Sequence, residues 1–164
     1  METLNQIIVR SLTGFLDYIH RKSWNGRENE AVSLYAFGFL QRERRKGSPL
    51  NDPTQIAIEV GAADTPKSPK SQVRKDLVIW REAGANRWFP ETPRSEPLAI
   101  MEWKVRRPGI PRRTTTTSDI EWLSTHCPGG GGPVGYSILL DLSKDPATLT
   151  CIRVTTSGTK TLKV

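Results

Sequence analysis

The sequence predicts an α/β fold, in which a central mixed β-sheet is flanked by helices. Apolar residues near the N-terminus recur every three or four positions, which is typical of an amphipathic helix. Five later segments have the composition of strands, and further helical segments precede the first strand and follow the third. Since this order is typical of α/β domains, we expect a single domain over residues 1–164, with an N-terminal helix in 1–24 and a core in 25–154.

Two helices are predicted before the first strand. The first is expected over residues 2–21, where its apolar side chains would pack as core. Asn25 is expected to cap the second helix, which would carry Glu28 and Glu30 in its first turn. Basic residues suit a helix C-terminus, so this second helix is expected to run to about Lys46.

The strands are predicted from runs of apolar and β-branched residues bounded by turn signals. They cover residues 55–60, 73–80, 98–105, 135–142 and 148–154. Between the third and fourth, Ser118 and Glu121 form a capping-box pattern that predicts a short helix over 118–126. The glycine-rich segment 128–133 lacks the Gly-Lys-Ser/Thr ending of a phosphate-binding loop, so it is expected to be a connection.

Composition favours a polyanion as the partner of this chain. The formal net charge is +7, from 24 basic and 17 acidic residues, although basic faces are often only solvated. Only two cysteines are present, and neither lies in a zinc-binding spacing. The N-terminal apolar residues are interrupted by polar ones, unlike a signal peptide or a membrane span. We therefore expect a cytoplasmic protein that does not enter a membrane.

The two central strands carry charged residues on largely apolar faces. Asp76 shares its face with Val78 and Trp80, while Glu102 and Lys104 share theirs with Ile100. Buried charges persist only when they are paired or bind a metal. The charges therefore indicate either a structural ion pair or a chemical site.

An acid on one strand and Glu-x-Lys on the next, here Asp76 and Glu102-Trp103-Lys104, resemble the PD-(D/E)XK nuclease superfamily. The resemblance extends over residues 25–154 through the order of helices and strands, and implies a restriction-endonuclease-like fold. In that family the two acids hold a divalent cation, and the lysine lies beside the attacking water and the scissile phosphate. Lys75 occupies the place of the family's usual proline.

The same resemblance implies further site residues and a reaction. A glutamate early in the helix before the sheet often joins the family's metal site, and Glu30 is preferred here over Glu28. Hard oxygen ligands select Mg²⁺ or Mn²⁺, which Asp76 and Glu102 would hold with the backbone carbonyl of Trp103. We expect a metal-dependent endonuclease that hydrolyses phosphodiester bonds in DNA, with RNA as the second candidate substrate. A homodimer would suit a duplex cutter.

A basic segment directly follows the proposed catalytic strand. It contains four arginines, which could neutralise phosphates next to the scissile one: Arg106, Arg107, Arg112 and Arg113. Two alternatives stay open. The chain could be a catalytically silent nucleic-acid-binding or assembly module on the same fold, or a small interaction protein without a nucleic-acid role.

Overall fold

The computed structural model describes residues 2–63, 72–85, 96–110 and 116–164. In these ranges the chain forms a six-stranded mixed sheet flanked by helices, which confirms the predicted α/β class. The helices are α1 (Leu4–Lys22), α2 (Glu28–Gly38) and α3 (Thr116–His126). The strands are β1 (Ile56–Ala63), β2 (Gln72–Trp80), β3 (Pro97–Arg106), β4 (Val134–Asp141), β5 (Thr148–Thr155) and β6 (Gly158–Leu162).

The strands lie in the sheet in the order of the sequence, from β1 to β6. Neighbouring strands are antiparallel except for β3 and β4, which are parallel. A parallel pair needs a crossover connection, and the segment that contains α3 provides it. The central strands β3 and β4 are consequently covered on both faces, as the apolar composition of β3 predicts.

Helices α1 and α2 cover one face of the sheet. The predicted first helix is confirmed, and its N-terminus is closed by a capping box between Thr3 and Gln6. The core on this face contains Phe15 of α1 and Tyr35 of α2, whose rings both lie within 6 Å of the Trp103 ring. These contacts fix α2, and with it the acids of its first turn, against β3.

The bounds of α2 differ from the prediction at both ends. Its N-cap is Arg27 rather than Asn25, and its last residue is Gly38 rather than Lys46. The backbone leaves the helical conformation at Phe39, where φ is −128° and ψ is −61°, and a 3₁₀ turn follows over Leu40–Glu43. Phe39 instead packs its ring on Phe15 at 5.5 Å, so a tertiary contact overrides the basic residues that favoured a longer helix.

Helix α3 covers the other face through a smaller core, in which Leu123 and Cys127 pack with Val78, Trp80 and Ile100. The helix begins at Thr116, so Ser118 lies inside its first turn and is not the N-cap that the sequence predicts. Beyond residue 154, where the predicted core ends, β6 adds an exposed edge strand that the sequence analysis does not predict. In the described parts of the chain, no helix combines the length and apolarity needed to cross a membrane.

Candidate metal and phosphate site

The site begins where the pairing of β2 with β3 ends. The ladder joins Leu77 to Met101 and continues to Trp80, and it does not include Asp76. Here the Asp76 carboxylate takes the place of a backbone acceptor, because its Oδ2 accepts the backbone N–H of Trp103 at 2.7 Å. This bond holds the acid of β2 against the Glu-x-Lys segment of β3.

Glu102 points to the α3 side of the sheet, where it meets Lys75. The distance between Lys75 Nζ and Glu102 Oε1 is 2.6 Å, and the two side chains are only 4% and 6% exposed. The Lys75 ammonium also lies 3.4 Å from the centre of the Trp122 ring, so α3 supplies a cation–π contact. Glu102 is therefore a buried carboxylate held by a buried cation.

Lys104 lies between the first turns of α2 and α3. Its Nζ is 3.6 Å from Glu28 Oε1 and 3.5 Å from Asp119 Oδ2. The same ammonium donates a 2.8 Å hydrogen bond to the backbone carbonyl of Trp103. Acidic residues are favoured in the first turn of a helix by the helix dipole, so both helices direct a carboxylate to the end of β3.

The carboxyl groups around the end of β3 are partly or fully buried, and they repel one another. Burial raises the pKa of Glu102 to about 7; Lys75 opposes the shift, whereas Asp76 and Asp119 add to it. Burial also raises the pKa of Glu28, which Lys104 lowers in part and Asp76 raises further. The charge of Asp76 thus affects the pKa of both Glu28 and Glu102. These three acids and Asp119 therefore form one electrostatic cluster.

The same carboxylates stabilise the positive charge of Lys104. Burial acts to lower its pKa, but the charges of Glu28, Asp119, Asp76 and Glu102 raise that pKa above the usual value for lysine. Lys104 is consequently a cation at neutral pH. Its ammonium can donate hydrogen bonds but has no lone pair with which to accept a proton.

The cluster carries more negative than positive charge. When all of them are ionised, its described members have a net charge of −2, from four carboxylates and two ammonium groups: Glu28, Asp76, Glu102 and Asp119 against Lys75 and Lys104. In addition, Asp119 Oδ2 is a buried oxygen that accepts no hydrogen bond in the described structure, and its one described contact with a charge is the Lys104 ammonium at 3.5 Å. Both features fit a hard divalent cation, which prefers oxygen ligands.

The protein ligands do not by themselves complete a metal site. Within the ranges that the structure describes, no three Asp, Glu, His or Cys side chains converge closely enough to hold an ion. The Trp103 carbonyl, expected as a ligand, is occupied by Lys104 on one lone pair. Mg²⁺ usually keeps several waters and takes one or two carboxylates, so Asp76 and Glu102 would suffice with water and substrate oxygens.

Three of the four predicted catalytic residues, Asp76, Glu102 and Lys104, affect one another through their charges, and Asp76 and Lys104 both hydrogen-bond the backbone of Trp103. Glu30 has a different contact. The Glu30 carboxylate turns back to accept the backbone N–H of Arg27 at 2.6 Å, which closes the capping box of α2. Glu28, which the sequence analysis placed second, is the glutamate that reaches Lys104. In the described structure Glu28, and not Glu30, is therefore the α2 glutamate that neighbours Lys104, while a part for Glu30 in the reaction stays a prediction.

The predicted phosphate-binding arginines have different environments. Arg106 pairs with the buried Asp141 at 2.8 Å, so it has a structural partner. Arg107 is half-buried and follows β3 directly. Arg112 and Arg113 lie outside the described residues.

Sequence reasoning missed the contributions of Lys75 and Asp119. Lys75 stands out in the sequence only as a departure from the family pattern, although a lysine inside a strand next to an acid is a signal of a buried pair. An aspartate at position 119 is typical of the start of a helix, and the sequence gives no further indication of its role. Nothing in the sequence shows that the first turn of α3 meets Lys104, since that contact depends on the crossover between β3 and β4.

Comparison of the chain with protein-family models, with curated proteins and with solved structures finds no match.

Proposed function

We propose that the chain is a metal-dependent endonuclease of the PD-(D/E)XK type, with a restriction-endonuclease-like fold, that hydrolyses phosphodiester bonds in DNA. The observation that supports this proposal is that Asp76 and Lys104 both hydrogen-bond the backbone of Trp103, the residue after Glu102, within a cluster that has excess negative charge. A cluster that only stabilised the fold would be expected to balance its own charges.

Asp76 and Glu102 are the residues that would hold Mg²⁺ or Mn²⁺, with the Trp103 carbonyl beside them. The ion would supply a Lewis acid for the phosphate oxygens and would lower the pKa of a bound water. Asp76 is oriented for this role by the Trp103 N–H, and Glu102 by Lys75. Both carboxylates are therefore fixed before any ligand arrives, which reduces the ordering that binding requires.

Lys104 would act as a charged donor in this reaction. Because its pKa is raised, its ammonium would orient the attacking water and stabilise negative charge on the phosphate, and it would not remove a proton from the water. Glu28 and Asp119 hold this ammonium from two sides. Their role is to position Lys104 at the end of β3.

The test is a cleavage assay with purified protein on plasmid, branched and single-stranded DNA, and on RNA, in Mg²⁺, Mn²⁺ or EDTA. Asp76→Asn, Glu102→Gln and Lys104→Met should each lose cleavage, by about 10²-fold or more if each removes one electrostatic contact to the transition state. Lys160→Met, on the exposed edge strand β6, is the control for a contaminating nuclease. Equal activity in all five proteins would reject the proposal.

A second candidate, a catalytically silent nucleic-acid-binding or assembly module on the same fold, is favoured by one observation. Lys75 binds Glu102, and Lys104 binds the Trp103 carbonyl, so two predicted metal ligands already have protein partners. Such a module would bind DNA without cleaving it, and its melting temperature would not respond to Mg²⁺. Cleavage by the wild type and the response of its melting temperature to Mg²⁺ therefore separate the two candidates.

The remaining expectations extend this proposal. Arg107, Arg112 and Arg113 would bind phosphates that flank the scissile one, with Arg106 held closer to the protein by Asp141. A cytoplasmic location and a homodimer on duplex DNA belong to the same proposal. Light scattering of the protein with and without duplex DNA would test the dimer.

A further inference from the structure

Lys75 is the most deeply buried lysine side chain among the described residues that form ion pairs. It lies within the sheet, and among the residues that the structure describes its ammonium contacts Glu102 Oε1 at 2.6 Å and the Trp122 ring at 3.4 Å. Removing an ammonium group from water is costly, and a pair of apolar residues could often fill such a volume with equal or greater stability. Packing alone therefore does not explain an ammonium group at this position.

The position of the ammonium coincides with one at which a cation bound to Glu102 would lie. Metal ions bind carboxylate oxygens at about 2.0–2.6 Å, and Lys75 Nζ already lies 2.6 Å from Oε1. In two-metal phosphodiesterase sites, the ions are about 3.5–4 Å apart. A second ion on this oxygen of Glu102 would therefore have to displace the ammonium, with the Trp122 ring behind it.

The charge balance of the cluster also favours a single bound ion. With Lys75 in place, the described carboxylates and ammonium groups leave two uncompensated negative charges, which one divalent cation would neutralise. A second divalent cation would give the cluster an excess of two positive charges. The fixed charge of Lys75 thus favours one ion over two.

We propose that Lys75 is a positioning residue that supplies the charge of a second cation, so that the site takes one divalent cation per chain. This inference rests on the proposed function, since it concerns the same metal site. Lys75 would hold Glu102 through Oε1 and leave the other carboxylate oxygen for the ion. Trp122 would keep the ammonium in place from the α3 side.

The experiment counts bound ions and does not depend on cleavage. Mn²⁺ alone is titrated into the full chain at pH 8, and its stoichiometry and spin coupling are measured by calorimetry and electron paramagnetic resonance. The wild type should bind one uncoupled Mn²⁺, and Lys75→Arg, which keeps the charge and can stack on Trp122, should also bind one. Lys75→Gln should bind a second Mn²⁺ at millimolar concentration, with coupling expected of ions about 3.5–4 Å apart.

The outcomes distinguish failure of the role proposed for Lys75 from failure of the proposed nuclease function. Two coupled ions in the wild type or in Lys75→Arg would overturn the role of Lys75 while leaving the nuclease proposal intact. One ion in a folded Lys75→Gln would also overturn it, because removal of the ammonium would then open no cation position. No Mn²⁺ on the wild type would reject the metal site itself. Far-UV circular dichroism checks the fold of Lys75→Gln, and if that variant does not fold, the counts for the other two proteins decide.

Discussion

Lys75 and Glu102 form an ion pair with 2.6 Å between Nζ and Oε1, and more than nine-tenths of each side chain is buried. The pair lies on the face of the sheet that α3 covers, next to the apolar core of Leu123 and Cys127. Because a buried charge is tolerated only with a partner, each residue makes the other necessary. Under the proposed function, a change at either residue would therefore affect both stability and metal binding.

The first prediction concerns the removal of one partner. Lys75→Met should destabilise the protein by about 3 kcal/mol, since removing one member of a buried pair typically costs 3–5 kcal/mol and protonation of Glu102 relieves part of it. Urea denaturation at pH 8 with EDTA measures this cost. The double variant Lys75→Met/Glu102→Gln should recover much of the stability, because it leaves no unpaired charge.

The matched control for this prediction is Lys160→Met on the exposed strand β6, which should change stability by about 0.5 kcal/mol or less. If Lys75→Met costs no more than this control, the ion pair does not stabilise the fold.

The second prediction is a pH dependence of the metal-free protein. Burial raises the pKa of Glu102 from 4.5 to about 7, so the folded state binds this proton more tightly than the unfolded chain does. The stability that the proton provides is complete below about pH 4.5 and is lost as the pH rises to about 7. Between these values the wild type should lose roughly 3 kcal/mol relative to Glu102→Gln, which cannot titrate there.

Urea denaturation of both proteins at several pH values between 4 and 8, in EDTA, gives this difference directly. A difference that is constant, or that grows with pH in favour of the wild type, would mean that Lys75 outweighs burial and keeps the pKa of Glu102 near its usual value.

The third prediction distinguishes the two glutamates of α2. Glu28→Gln should reduce cleavage, because it removes a charge that holds the Lys104 ammonium, and should have a small effect on stability. Glu30→Ala should leave cleavage unchanged and should weaken the cap of α2 at Arg27, by up to about 1 kcal/mol, because it removes the oxygen that accepts the Arg27 N–H. Kinetics and thermal melts of the two variants should therefore give opposite patterns. Loss of cleavage in Glu30→Ala alone would show that Glu30, and not Glu28, belongs to the site.

The fourth prediction concerns metal in the absence of substrate. Mg²⁺ should raise the melting temperature of the wild type, and the stabilisation should reach about 2.7 kcal/mol at a hundredfold excess over the dissociation constant. Asp76→Asn should not show this effect but should keep the fold, because its amide oxygen can still accept the N–H of Trp103. A chelator should reverse the shift. The same shift in both proteins would place the ion elsewhere.

The sequence was sufficient to predict the helices and strands whose core-facing residues recur with a clear period. The predicted first helix and the strands around Asp76 and Glu102 lie within a few residues of α1, β2 and β3. Strand β6 was not predicted because Gly-Thr-Lys-Thr-Leu is exposed at the edge of the sheet and has no apolar alternation. The end of α2 was missed because it depends on the contact of Phe39 with Phe15, two residues that are distant in sequence.

The candidate site was predictable to the extent that its residues follow one another along strands. Asp76, Glu102 and Lys104 stood out as charges on apolar faces. The choice between Glu28 and Glu30 could not be made from spacing, since both occupy the first turn of α2 and only the packing of α2 on β3 decides which one meets Lys104. The packing of α3 on the other face brings Asp119 to that lysine.

The fifth prediction concerns the basic residues after β3. Arg107→Gln, Arg112→Gln and Arg113→Gln together should weaken DNA binding and reduce the slope of log affinity against log salt concentration by about 0.9 for each phosphate that the protein no longer neutralises. A matched triple variant at exposed lysines, Lys46→Gln, Lys160→Gln and Lys163→Gln, removes the same charge, and its slope should stay closer to that of the wild type.

Arg106→Gln should behave differently from the other arginine changes. The Asp141 side chain is only 6% exposed, so removal of its 2.8 Å partner leaves a buried carboxylate whose remaining described hydrogen bonds are those from Ser143. This variant should therefore lower the free energy of unfolding, whereas the triple arginine variant should not, and urea denaturation separates the two effects. Filter binding at several salt concentrations then gives each slope on protein known to be folded. If the triple arginine variant keeps the wild-type slope, these arginines do not contact phosphate, and the DNA surface lies elsewhere on the molecule.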